Sequence, residues 1–430
     1  MAPQPAVAQA TIDFFNRLRP THANAAANFD PGTVAGDARA TRVVVHARYP
    51  QLVEDFLAFK RERGCPAERA LYHAGWAWRD QVARLLARRP LAFLNPTDHT
   101  VLRTGETVDC AARAWDLVGT PEEGTVADPA AAAALRLRDY LSYDEALLGS
   151  LLGVSGPSHF INDGGRHNRG VPGEPGTFEP RGVIVGLAGP RFERRGRMDW
   201  HLAVNSGNLP GPLAAAYRRF LGCELAPGTL HQDGAKTAVL SERAYGARVR
   251  VTAELLLAEA ADRAAQAGAG VQAHVYVVGL GLGVWKIDDR QPDLYVAAFE
   301  RALKGLAPPA RARVGVVEFG YVGGTVSAAV RDSVVATGKK YEPRVDVVFS
   351  TRNPAAKLPP GSSPRRLLVL SYAWDGNAFP GNEYWMRMVA ASGDPAAACM
   401  STIADLHNPL LNPGYLERIA VLGPWGGSLS

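Results

Sequence analysis

The run Asp375-Gly376-Asn377-Ala378-Phe379-Pro380-Gly381-Asn382-Glu383 holds two carboxylates and two amides within nine residues. Two glycines and a proline bar a regular helix or strand there. A carboxylate on such a loop can orient a water, hydrogen-bond a sugar hydroxyl or hold a cationic leaving group. An Asx-turn would need Asp375 alone, so the additional acid, the amides and the flanking Trp374 and Trp385 point to a site. Asp375 and Glu383 are the candidate catalytic groups, with Asn377 and Asn382 as ligand-binding partners.

A second candidate is Gly279-Leu280-Gly281-Leu282-Gly283-Val284-Trp285. Glycine-rich turns after a strand let backbone N–H groups approach a phosphate. The dinucleotide fingerprint would require glycine at position 284, which is Val284, and no Walker lysine follows. Gly279, Gly281 and Gly283 are therefore expected to leave one bare face toward a ligand, with Trp285 flanking a base or ribose. A third candidate is the polar loop from Phe160 to Gly170, in which Asn162 and Asp163 are expected to bind ligand. Asn205-Ser206-Gly207-Asn208 is read as a helix N-cap, and His407 as structural. GxSxG, HExxH and CxxC are absent from the chain, so serine-triad, zincin and cysteine-pair chemistry lack support. No metal site is expected.

The opening loop follows Leu367-Leu368-Val369-Leu370-Ser371-Tyr372, an apolar run expected to be a buried strand. Loops at the ends of such strands are where α/β proteins place binding and catalysis. Further strands are expected at 182–187, 201–204, 271–278, 314–319 and 345–349, with helices at 213–221, 241–267 and 294–306. This alternation predicts an α/β layer with a central sheet. The later strands are nearly continuous apolar, as in strands covered on both faces. Upstream, residues 1–30 are expected to be a loosely held arm. Residues 31–150 are expected to be a helical region, with helical stretches over 49–89 and 128–148, and residues 151–430 the α/β domain.

At 430 residues, with 47% hydrophobic and 21% charged residues, the chain has the composition of a soluble globular protein of more than one core. The net charge of +5 is spread in short arginine pairs, which argues against a nucleic-acid partner. No apolar stretch approaches the ~20 residues that span a bilayer, and no membrane partner is expected. The first five residues lack the pattern of a signal peptide. The four cysteines, Cys65, Cys110, Cys223 and Cys399, are far apart, which fits a reduced, cytoplasmic protein.

The stretch from His274 to Trp285, the helix 294–306, the strand 314–319 and the loop Asp375 to Trp385 together resemble the MavL-like macrodomain family of arginine-specific (ADP-ribosyl)hydrolases. The loop 160–170 and Asn408-Pro409 share that likeness, which covers roughly residues 140 to 415. The resemblance implies a three-layer α/β/α macrodomain core with a mixed sheet and added helices. It implies binding of ADP-ribose and removal of mono-ADP-ribose from arginine side chains of a protein substrate, with no cofactor and no metal. Asn377 with Pro380-Gly381-Asn382 then corresponds to the family's asparagine loop, and Gly279 to Gly283 to its diphosphate loop. Their order along this chain is reversed, and Asn-Ala-Ala-Asn is absent. Hydrolysis of an N-glycosidic bond passes through an oxocarbenium-like state, and Asp375 and Glu383 suit its stabilisation. A non-catalytic ADP-ribose reader on the same fold is the alternative.

Overall fold

A computed structural model describes residues 7–108, 111–126, 128–226, 239–359, 365–390, 392–423 and 428–429. The first five residues and Cys110 lie outside them. Twelve strands occur among the described residues: β1 (Arg42–His46), β2 (Ala92–Leu94), β3 (His99–Val101), β4 (Thr107–Val108), β5 (Gly153–His159), β6 (Arg181–Leu187), β7 (Gln272–Val277), β8 (Val314–Gly320), β9 (Asp346–Ser350), β10 (Arg366–Ala373), β11 (Ile419–Leu422) and β12 (Ser428–Leu429). Nine of them form one mixed sheet in the order β12-β11-β1-β5-β6-β10-β7-β8-β9. β6, β10, β7, β8 and β9 run parallel, whereas β5 runs antiparallel to β6 and to β1.

Alternation along the strands sends side chains to two cores. Val43, Val45, Ile184, Leu368 and Leu370 enter one, together with Leu52, Phe56, Leu85, Phe220 and Cys399. Val44, Val183, Val185, Val317 and Val369 enter the other, with Val249, Leu256, Tyr295 and Phe299. The first core is covered by the helices Tyr49–Arg63, Trp78–Ala87, Gly211–Leu221 and Gly393–Met400. The second lies under Glu242–Gln266 and Gln291–Gly305. Coverage on both faces explains why the central strands are apolar throughout. No helix among the described residues is long and apolar enough to cross a membrane.

Several local expectations differ from the structure. The run 201–204 is helical, within Trp200–Ala203. Four apolar residues do not distinguish a strand from a helix turn. Here the preceding Asp199 is locked to Arg248 of the long helix at 2.9 Å, while both edges of β6 are taken by β5 and β10. The stretch 128–148 is two short helices, Pro129–Ala134 and Tyr143–Gly149. Between them the Arg84 guanidinium donates to the carbonyls of Leu137 and Tyr140 at 2.6 and 2.8 Å, and Ser142 caps the second helix. The region 49–89 is likewise divided into Tyr49–Arg63, Pro66–Leu71 and Trp78–Ala87.

The expected helical region 31–150 also supplies β1, an interior strand of the large sheet between β11 and β5, and the small sheet β2-β3-β4. Within the expected loose arm, Gln9–Leu18 is a helix whose Phe15 is 1% exposed. The Phe15 ring meets Trp385 edge-on at 4.9 Å, and Arg19 pairs with Asp405. The apolar face of that short helix is buried beside the loop expected to carry chemistry.

Candidate active site

β6, β10 and β7 are parallel neighbours, so the segments leaving them converge on one edge of the sheet. The central segment is Trp374 to Glu383. Its Trp374 indole N–H closes the turn on the carbonyl of Ala378 at 2.9 Å. The Phe379 N–H donates to the carbonyl of Pro90 at 3.1 Å, and Ala378 packs among Phe93, Trp115 and Tyr140. Gly376 sits at φ +72°, where a Cβ would lie 2.9 Å from that of Ala188. Only glycine lets the loop lie this close to the end of β6.

Three carboxylates gather on this turn. Asn382 Nδ2 donates to Asp375 Oδ2. Ser392 Oγ donates to Glu383 Oε1 at 2.8 Å. The Gly381 N–H donates to Asp394 Oδ1 at 3.3 Å. Glu383 Oε2 and Asp394 Oδ2 are buried without a hydrogen-bond partner among the described residues. Burial pushes the Glu383 carboxyl up to about 7, and the neighbouring Asp375 and Glu193 add to the rise against opposing contributions from Ser392 and Arg166. Burial also raises Asp375, offset in part by the Arg191 guanidinium and the Asn382 amide. Asp394 lies well above the usual carboxylate range, through burial and then repulsion from Glu383 and Asp375. Burial and mutual repulsion thus hold all three acids toward their protonated forms, with Glu383 at about 7. Asn377 is 3% exposed, and neither its Oδ1 nor its Nδ2 has a partner among the described residues.

The segments after β6 and β7 abut. A Cβ on Gly281 (φ +75°) would lie 2.8 Å from the Pro190 carbonyl oxygen. Next to Pro190, the Arg191 guanidinium is flanked by Trp285 at 5.2 Å and Phe93 at 5.1 Å, and it pairs with Glu193 at 2.7 Å. The Trp285 ring, expected to flank a base or ribose, thus packs on Arg191. Arg191 Nη1 is buried without a partner among the described residues, which leaves a cationic donor beside the glycine loop.

The Phe160-to-Gly170 loop meets the site from another side. Asn162 spends its side chain on the loop itself: its amide donates to Asn168 Oδ1 and the Val171 carbonyl at 3.1 and 2.9 Å, and its oxygen accepts from the Gly164 N–H at 2.9 Å. Asp163 accepts from the Gly165 N–H at 3.0 Å and from Asn353 Nδ2 at 2.9 Å. Arg166 of this loop lies near enough to Glu383 to favour its ionised form. His407 is fully buried, and burial depresses it to about 3.

Three neighbours of the site escaped sequence reading, Asp394, Arg191 and Glu193, whereas Arg166 falls within the candidate loop from Phe160 to Gly170. Asp394 stands in a Ser-Gly-Asp helix start, which signals only a cap. Arg191 and Glu193 follow Gly189-Pro190 after a buried strand, and the reasoning applied to the loop after β10 would have reached them.

Among known proteins, the model of the MavL-like ADP-ribosylhydrolase family matches residues 23–207 and 228–421. This is broader than the 140–415 expected from motifs. The chain is 33% identical over 405 residues to the ADP-ribosylarginine hydrolase CG3568 of Drosophila melanogaster, covering 87% of this chain and 76% of that protein. It is 32% identical over 400 residues to the ADP-ribosylarginine hydrolase CG2909 of the same organism, covering 86% of this chain and 76% of that protein. The chain belongs to the MavL-like ADP-ribosylhydrolase family.

Proposed function

We propose that this protein is a hydrolase that removes mono-ADP-ribose from arginine side chains of proteins, on a three-layer macrodomain fold. The observation that carries the reading is the half-buried carboxyls of Asp375 and Glu383 on one turn, with Glu383 raised to about 7. The two Drosophila relatives, both named ADP-ribosylarginine hydrolases, support the choice of linkage. The free thiols Cys65, Cys223 and Cys399 support a cytoplasmic location.

In the proposed reaction a water oxygen bonds to the anomeric carbon of the distal ribose while the bond to the guanidino nitrogen breaks. Ionised Glu383 accepts the proton of the attacking water. Asp375, fixed by Asn382, faces the positive charge that develops on the ribose. The proton then passes to the departing nitrogen, which leaves as a guanidinium. Backbone N–H groups of Gly279, Gly281 and Gly283, with the Arg191 guanidinium, receive the diphosphate.

The test is turnover of ADP-ribosyl-arginine together with calorimetry on ADP-ribose. Asp375→Ala and Glu383→Ala are each expected to lower kcat by about a hundredfold or more, within the ~10²–10⁴-fold contributed by a positioned acid or base, while ADP-ribose still binds. Full activity in both variants would remove these residues from the mechanism. Binding without turnover in the unaltered protein would make it a reader.

A further inference from the structure

The helical turn Asn382–Trp385 has four residues. It cannot hold its shape alone, since isolated helices shorter than ~12 residues are marginal in water. Its first half carries candidate chemistry: Asn382 donates to Asp375, and Glu383 accepts from Ser392. Its second half, Tyr384 and Trp385, is buried, and residues from the start of the chain grip it.

The Arg19 guanidinium lies 5.5 Å from the centroid of the Trp385 ring. It donates to the Tyr384 hydroxyl at 3.5 Å and pairs with Asp405. The Tyr384 hydroxyl donates in turn to Asn24 Oδ1 at 3.0 Å. Asn24 Nδ2 donates to the carbonyls of Ala398 and Ser401 at 2.6 and 3.1 Å, at the end of the helix Gly393–Met400 whose first turn holds Asp394. One chain of contacts therefore ties the turn that carries Glu383 to the helix that carries Asp394. Arg19 is itself buried. A buried ion pair adds little stability over an apolar replacement of the same volume, and Phe15 already supplies an apolar anchor on Trp385. What the guanidinium adds is a planar fork that fixes a carboxylate, a hydroxyl and an indole relative to one another.

We propose that Arg19 is a positioning residue for the hydrolysis: anchored on Asp405, it fixes Tyr384 and Trp385 and, through the turn they share, the carboxyl of Glu383. This rests on the hydrolase reading above and adds a residue that acts on the reaction without touching the reacting atoms. The charged groups acting on Glu383 include Asp375, Asp394, Glu193 and Arg166. Arg19 instead meets Tyr384, Trp385 and Asp405. A change in the titration of Glu383 on loss of Arg19 therefore reports a displaced carboxyl.

Arg19→Ala in the full chain tests it. The variant is expected to lower kcat on ADP-ribosyl-arginine about ten- to a hundredfold, as for a small misplacement of a reacting group, at unchanged KM. The limb of its pH–rate profile should move from near 7 toward the ordinary carboxylate value, because a freed turn lets water reach Glu383. Should Arg19→Ala fail to fold, Asp405→Asn removes the charge that anchors Arg19 and carries the same expectations. A lowered thermal midpoint with kcat and the limb unmoved would make Arg19 a purely structural anchor and overturn the proposal. A second readout needs no turnover: the stability gained by Glu383→Gln at pH 8 relative to pH 4 should shrink in the Arg19→Ala background. The same gain in both backgrounds overturns the positioning role and leaves the hydrolase reading standing. Absence of turnover in the unaltered protein removes the hydrolase reading, while this comparison still decides whether Arg19 fixes Glu383.

Discussion

The guanidinium of Arg89 lies 4.1 Å from the centroid of the ring of Trp374, the residue before Asp375. It donates to the carbonyls of Leu85 and Gly149 at 2.6 and 2.9 Å, and burial depresses it to about 9. A cation with no carboxylate partner among the described residues is thus held between two helix ends and an indole, and it braces the start of the candidate turn. Arg89→Lys keeps the charge but loses the planar fork. It is expected to cost about 1–3 kcal/mol, the range for leaving a buried acceptor unpaired, read by chemical denaturation. An unchanged midpoint would mean that the brace contributes nothing.

Glu383 is expected to make stability and rate depend on pH in opposite directions. The folded carboxyl is held near 7, against an ordinary value of 4.5. Between these values the folded chain keeps a proton that the unfolded chain has lost, so this group lowers stability as pH rises from about 4.5 to about 7, with no further change above. Glu383→Gln should therefore gain roughly 1–3 kcal/mol over the unaltered protein at pH 8 relative to pH 4, while turnover is lost. In the unaltered protein kcat should climb with a limb near pH 7 as the carboxylate forms. A gain that is identical at both pH values would refute this titration.

Asn382 donates to Asp375, one of the two interactions that oppose the upward pull of burial on that acid. Asn382→Leu removes the donor, so Asp375 should ionise at higher pH. A hydrogen bond to a charged group contributes about 1.5–3 kcal/mol, which corresponds to a loss of about ten- to a hundredfold in kcat at neutral pH, partly regained in alkaline buffer. A pH–rate profile with an unmoved acidic limb would show that Asn382 does not act through Asp375.

Gly281 and Gly283 look alike in the sequence but differ in place. A Cβ at Gly281 would meet the Pro190 carbonyl oxygen at 2.8 Å and sit at φ +75°, whereas one at Gly283 would have no atom within 4 Å. Gly281→Ala should destabilise by about 1–2 kcal/mol and weaken ADP-ribose, because the turn must shift. Gly283→Ala should change stability by no more than about 0.5 kcal/mol. Thermal melts of the pair decide it, and equal midpoints would contradict the close approach at Pro190.

The strand-then-loop logic that singled out Asp375 to Glu383 was legible because it is local. An apolar run must be buried, a glycine-proline segment must turn, and acids placed there face an edge of the sheet. For the same reason β7, β8, β10 and the long helix Glu242–Gln266 were readable from periodicity. The helical tetrapeptide at 200–203 was not, since four apolar residues carry no period and Asp199–Arg248 settles their conformation.

Residues distant in sequence were decided only by folding. Asp394 joins Asp375 and Glu383 because the helix Gly393–Met400 packs against the first core. Arg191 reaches the glycine turn because β6, β10 and β7 are neighbours. Phe15 and Arg89, from segments read as an arm and a helical region, brace Trp385 and Trp374. The sequence by itself determined the chemistry on offer: carboxylates, amides and bare backbone on turns that follow buried strands. The tertiary structure decided which of those groups share one desolvated space. A carboxyl moves from its ordinary range to about 7 only when burial and neighbouring charges act on it together, and both belong to the packed chain.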